Sequence, residues 1–330
     1  MAEKTKNSRL QELHSLICEL GELRKGIPQF LFKDQIFRAQ LVEFREKILN
    51  FRKASSNHEV EEIDFILQSP GGEPDKAFKI IRTLRNNFKV VNIIVPYWAK
   101  SAATLLALGG NTIVMDEFAE FGPIDIQIPK QKDDRPQDDE WESVLIDEAS
   151  LDRIETRARI FFNQMFVNIF QDERIPVDKN TLIQYLTNLI TSFYEPLVNQ
   201  IDPYKIGEKR RALDICQYYA WIILNRYQPE ISGNDKERLI QFLLESCPDH
   251  GVVVDYDLIR TVLKNVKYSM DLVPKPAYGY KLSEITSHLL SDNISYSFIG
   301  FVDKNLLSLS VNDSVTTKNL SSVKKQKPRK

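Results

Sequence analysis

Cysteine, histidine and tryptophan are scarce in this chain, and their scarcity removes several function classes at once. The three cysteines among 330 residues, Cys18, Cys216 and Cys247, are odd in number and widely spaced. That pattern gives neither a disulfide framework nor a zinc-ligand cluster, and it reads as buried thiols in a reducing compartment. No His-Glu-x-x-His, paired Cys-x-x-Cys or repeated Asp-x-Asp is present, so neither a metal site nor a metal cofactor is expected. Gly71-Gly72 is not followed by Gly-Lys-Ser or Gly-Lys-Thr, which excludes a phosphate-cradling P-loop. No stretch reaches the roughly 18 consecutive apolar residues of a membrane span, and the first residues carry no apolar leader core. A soluble, cytoplasmic protein without a transmembrane segment is the expectation. Neither sign of charge dominates: 44 Lys and Arg face 46 Asp and Glu, a formal net charge of −2, which argues against a general nucleic-acid binder.

What the chain does have is concentrated between Ile63 and Gln127. Asp64-Phe65-Ile66-Leu67-Gln68 is an apolar strand that breaks into Ser69-Pro70-Gly71-Gly72. Val95-Pro96-Tyr97-Trp98-Ala99-Lys100 is another strand end, and it runs into a small-residue helix opening at Ser101-Ala102-Ala103-Thr104. A Gly-Gly turn presents backbone N–H groups with no side chain in the way. A serine at a helix N-terminus sits where the helix dipole favours negative charge. Together the two segments have the makings of an oxyanion hole and a nucleophile. The plainer readings are a tight turn and an N-cap serine.

Around these motifs the periodicity predicts alternating elements. Strands are expected at 63–67, 90–95 and 112–115, with helices at 75–88 and 101–108 between them. Strand, helix, strand, helix, strand within about 55 residues predicts right-handed βαβ crossovers and a parallel sheet. Residues 1–55 read as N-terminal amphipathic helices interrupted at Gly26-Ile27-Pro28. Residues 56–309 read as the main α/β domain, with a helical insertion at about 141–245. Residues 310–330 lose apolar periodicity and read as a disordered basic tail. The charge-dense run from Lys130 to Glu142 reads as an exposed loop. The aromatic stripe through Phe161, Phe162, Phe166 and Phe170 reads as core or subunit interface.

The order strand, Ser-Pro-Gly-Gly, helix, strand, Ala-Lys-Ser-Ala-Ala, strand, Phe-Gly-Pro-Ile-Asp-Ile-Gln resembles the Clp protease and crotonase-like fold. Within that fold it is similar to the serine dehydrogenase proteinase family, relatives of signal peptide peptidase A. Residues 199–216 and the turn Pro248-Asp249-His250-Gly251 are similar to later parts of the family. The resemblance implies a serine peptidase that acts on peptide or protein substrates, assembles as a homo-oligomer and needs no cofactor. It implies Ser101 as nucleophile, with an oxyanion hole from the N–H groups of Gly71 and Ala102. Gly72 lets the turn approach the substrate.

The general base stays open. Clp-type relatives place a histidine about 25 residues after the serine, where this chain has Asp125-Ile126-Gln127. Lysine serves as base in the signal peptide peptidase A branch, which makes Lys130 and Lys132 candidates if desolvation keeps the amine neutral. His250, with Asp125 or Asp249 to fix its tautomer, is the third candidate. Gly251 stands where an acid is usual in the family, which weakens a full triad. Two other classes remain: a catalytically silent assembly or binding protein, and an acyl-thioester enzyme using the same oxyanion hole.

Overall fold

The computed structural model describes residues 2–54, 59–124, 127–129, 141–172, 176–199, 202–246, 252–290 and 297–302. It divides into two compact units. The first comprises Met1–Ile124, Tyr219–Ile240 and Val253–Lys330, and the second Asp125–Tyr218 and Gln241–Val252.

In the first unit, helix α1 (Ala2–Leu23) leads into strand β1 (Gln29–Lys33), helix α2 (Arg38–Lys53), strand β2 (Glu62–Gln68) and helix α3 (Pro74–Asn87). Strand β3 (Val90–Val95), the short β4 (Trp98–Ala99), helix α4 (Ala102–Ala107), β5 (Thr112–Met115) and the short β6 (Glu120–Phe121) follow. The second unit opens with β7 (Gln127–Pro129) and β8 (Trp141–Ser143), which pair antiparallel. Its helices are α5 (Val144–Phe170) and α6 (Lys179–Val198), and α7 (Pro203–Tyr227) runs out of it. Helix α8 (Gly233–Gln241), helix α9 (Tyr256–Ile259), strand β9 (Val266–Tyr268), helix α10 (Ala277–Leu290) and strand β10 (Phe298–Val302) complete the chain.

The main sheet has the order β10-β1-β2-β3-β5-β9. Every neighbouring pair is parallel except β1 with β10. β2 and β3 are buried along nearly their whole length, as strands covered by helices on both faces must be. One predicted feature changes. Residues 1–55 are not helices alone: after the interruption at Gly26-Ile27-Pro28, Gln29–Lys33 forms an interior strand of the sheet. Its first four residues are buried on both faces, which erases the alternation that marks a strand in sequence. Trp141 and Glu142, the last residues of the polar run at 130–142, belong to β8, while residues 130–140 and the tail from 303 onward lie outside the described residues.

Helix α1 buries Leu13, Ile17 and Leu20 against Tyr278, Leu282, Ile285 and Leu289 of α10. His14 is caught at this contact, only 1% exposed, with its ring edge-on to Phe298 at 4.5 Å. Neither ring nitrogen has a hydrogen-bond partner among the described residues. Burial lowers its pKa from 6.5 to about 4, because no partner offsets the desolvated cation. The folded pKa lies below the unfolded one, so the unfolded chain binds the proton first. Stability is therefore full above about pH 6.5 and declines as pH falls toward 4. Urea denaturation at pH 7 and 4.5 is expected to show this term as roughly 2–3 kcal/mol lost in the wild type and absent in His14→Leu.

Candidate active site

Both motifs leave the carboxyl ends of adjacent parallel strands, Ser69–Gly72 after β2 and Pro96–Ser101 after β3. Backbone hydrogen bonds knit them together. Ser69 N–H donates to Trp98 O at 3.3 Å, and Lys100 N–H donates to Ser69 O at 2.9 Å. On the other side, Gly122 N–H donates to Ala99 O at 3.1 Å and Ser101 N–H to Pro123 O at 3.1 Å. The Thr104 hydroxyl sits 2.8 Å from the carbonyl oxygens of both Ala99 and Gly122, locking the start of α4 to the same strand pair.

This clamp holds Ser101 in an unusual backbone conformation, φ 51° and ψ −122°. Positive φ with extended ψ is close to glycine-only territory and costs of order 1–3 kcal/mol, so it persists only where the surroundings over-determine it. Ser101 occupies the N-cap position of α4, yet its side chain makes no capping hydrogen bond. The plain capping reading therefore fails, and the serine is 8% exposed. A sharp, strained turn from strand to helix is the geometry that thrusts a nucleophilic hydroxyl forward in hydrolases.

Gly71 and Gly72 have φ of 99° and 145°. A Cβ on Gly71 would lie 2.6 Å from Lys100 O, 2.7 Å from Ser101 Cβ and 2.9 Å from Ala102 N. The turn thus packs directly against the serine, which no spacing rule reveals. A Cβ on Gly72 would lie 2.5 Å from Ile36 O. On that flank Ile36 N–H donates to Gly71 O at 2.7 Å and Glu73 N–H to Ile36 O at 2.9 Å. Gly71 N–H donates to Ser69 Oγ at 3.1 Å. The N–H groups of Gly72 and Ala102 have no hydrogen-bond partner among the described residues.

Lys100, next to the serine, is held away from this chemistry. Its ammonium pairs with Glu120, and its stem lies over Gly122, where a Cβ would collide with it. The predicted base candidates Lys130, Lys132 and His250, and the orienting Asp125, lie outside the described residues. Chain near His250 does reach the described region: Val254 exchanges backbone hydrogen bonds with Phe121 at 2.9 and 3.0 Å, and Asp255 caps α9 by accepting from Leu258 N–H at 2.9 Å. Among the described residues no cluster of His, Cys, Asp or Glu is arranged to hold a metal ion. No helix among them is long and apolar enough to cross a membrane.

Parts of the chain are similar to known proteins. An uncharacterized protein of Methanocaldococcus jannaschii, MJ0137, is 35% identical over 98 residues, 30% of this chain and 34% of that protein. A second from the same organism, MJ1495, is 33% identical over 93 residues, 28% of this chain and 31% of that protein. The chain thus spans about a third of the length of these curated relatives. Similar solved structures include 1510-N membrane-bound stomatin-specific protease, at 19% identity over 42% of this chain and 59% of that one, with a TM-score of 0.28. ClpP1 from Listeria monocytogenes shows 16% identity over 28% of this chain and 54% of that one, with a TM-score of 0.25. Residues 26–134, which hold the Gly-Gly turn and Ser101, match the ClpP-like SDH-type serine proteinase family, and the mostly parallel sheet with flanking helices is the α/β fold expected of that match.

Proposed function

We propose that the protein is a serine peptidase that cleaves peptide bonds through an acyl-enzyme on Ser101. The observation that carries this reading is the strained Ser101 turn packed against Gly71, in a family of serine proteinases. In the first step Ser101 Oγ attacks the scissile carbonyl carbon and passes its proton to a base. The oxyanion is held by the N–H groups of Gly72 and Ala102, which are unpartnered among the described residues. Gly71, whose N–H is engaged by Ser69, gives the turn its shape. The base then returns the proton to the leaving amine, and water releases the acyl group by the reverse route. His250 serves as that base in our reading, since imidazole needs little tuning to work near pH 7. The pairing of Val254 with Phe121 supports it by tying chain a few residues beyond His250 beside the segment that holds Ser101 N–H.

A fluorophosphonate probe followed by mass spectrometry tests the proposal. Labelling is expected at Ser101, lost in Ser101→Ala and reduced at least about 10²-fold in His250→Ala. Labelling that survives His250→Ala but fails in Lys130→Ala or Lys132→Ala would transfer the base to that lysine. A second reading, a catalytically silent assembly or binding protein, is favoured by the Gly71–Ser69 hydrogen bond, which already occupies one of the expected oxyanion donors. Wild-type protein that takes no label at any serine would select it.

A further inference from the structure

A second polar cluster lies at the amino-terminal ends of the same strands, away from the turns that carry Ser101. Register places Glu62 opposite Val90, Asp64 opposite Asn92, and Asn92 opposite Thr112, so alternate residues share one face. That face borders a pocket of about 190 Å³, partly open to solvent and lined also by Arg24 beyond α1, Lys267 on β9 and Tyr278 on α10.

The buried Asp64 carboxylate is satisfied within the cluster. Asp64 is 0% exposed and accepts from Arg24 Nε at 3.0 Å, Gln29 Nε2 at 2.8 Å and Asn92 Nδ2 at 2.8 Å. Glu62 accepts from Arg24 Nη2 at 2.9 Å and Asn92 Nδ2 at 2.7 Å, both at Oε1. Three groups around the cavity are left over. Tyr278 is 0% exposed, yet its hydroxyl has no hydrogen-bond partner among the described residues. Burial pushes its phenol well above the ordinary value, so it remains a donor at neutral pH. Lys267 is exposed at the cavity and makes no ion pair among the described residues. Glu62 keeps Oε2 as an acceptor.

A buried hydroxyl without a partner is costly, which makes Tyr278 a group awaiting an acceptor. The charged lining is balanced, Arg24 and Lys267 against Glu62 and Asp64, so a ligand with net charge would leave one charge uncompensated. The volume holds about six waters at ~30 Å³ each, below the ~300 Å³ of sites for larger organic ligands. We propose that this cavity binds a small zwitterion of free α-amino-acid size, its carboxylate on Lys267 and the Tyr278 hydroxyl and its ammonium on Glu62. The site stands apart from the peptidase reading and does not depend on it.

Calorimetric titration of the full chain with L-alanine, propionate and ethylamine tests this. L-Alanine is expected to bind saturably in the millimolar range, with each half-ligand at least about tenfold weaker. Tyr278→Phe keeps the ring and removes only the unpartnered hydroxyl, and Lys267→Gln changes an exposed side chain. Each is expected to weaken L-alanine about tenfold without lowering the melting temperature. No binding of L-alanine at tens of millimolar would overturn the proposal. So would propionate binding as tightly as L-alanine, which marks a simple anion site, or wild-type affinity in both variants.

Discussion

Alanine in place of Gly71 is expected to slow fluorophosphonate labelling of Ser101 by at least about 10²–10³-fold, with a loss of stability larger than the same change causes at Gly26. Both glycines have positive φ, 99° and 81°. For a side-chain-bearing residue that conformation alone costs roughly 1–2 kcal/mol. At Gly26 nothing lies within 4 Å of an added Cβ, so this backbone term is the whole effect. At Gly71 the new atom meets Lys100 O, Ser101 Cβ and Ala102 N, all at under 3 Å. None of these atoms has a rotamer to yield, so the peptide around Ser101 must shift. Displacing a nucleophile by about 1 Å from its clamped position costs on the order of 10² in rate, and disturbing an oxyanion donor costs a similar factor. Labelling rates and urea midpoints for Gly71→Ala and Gly26→Ala check the prediction. Wild-type labelling in Gly71→Ala would remove the turn from the site.

The sheet and the site differ in how openly the sequence displays them. β3 and β5 coincide with the predicted strands at 90–95 and 112–115, and β2 and α3 fall within a residue of prediction, because β-branched runs and a clean apolar face announce them. β1 escaped notice because Phe30, Leu31 and Phe32 are all buried, so the strand has no polar face to alternate with. Ser101 and Gly71 are legible as residue types, and the motif order assigns them to one site, but their direct packing is seen only in the structure. Nor is the 51° φ of Ser101 legible, since it is held by backbone hydrogen bonds of the 98–101 segment with Ser69 on one side and with Gly122 and Pro123 on the other, two places far apart in sequence. The engagement of Gly71 N–H by Ser69 is equally invisible, because the serine reads there as a turn residue. The pairing of Lys100 with Glu120 on the neighbouring short strand is not legible in the sequence either, because it depends on β4 lying beside β6.

The polar hub at the other end of the strands explains why the N-terminal helix belongs to this unit, and it carries the largest stability prediction. Arg24 follows α1 and joins it to β2 through Asp64 and Glu62. The Arg24 side chain is 20% exposed and that of Asp64 is 0% exposed, so the pair sits largely out of water. Building such a pair gains little, because desolvation offsets most of the attraction. Breaking it is different: Arg24→Met would leave a buried carboxylate facing only the amides of Gln29 and Asn92. A loss of about 3–5 kcal/mol is expected from urea denaturation. Adding Asp64→Asn removes the orphaned charge, so the double variant should be more stable than Arg24→Met alone, with a coupling of roughly 1–3 kcal/mol in the cycle. Strict additivity would mean that Arg24 acts through packing of its stem rather than through its charge. A full-sized coupling would establish that the ion pair between the end of α1 and the second strand acts through its charges, beside the apolar contact of α1 with α10.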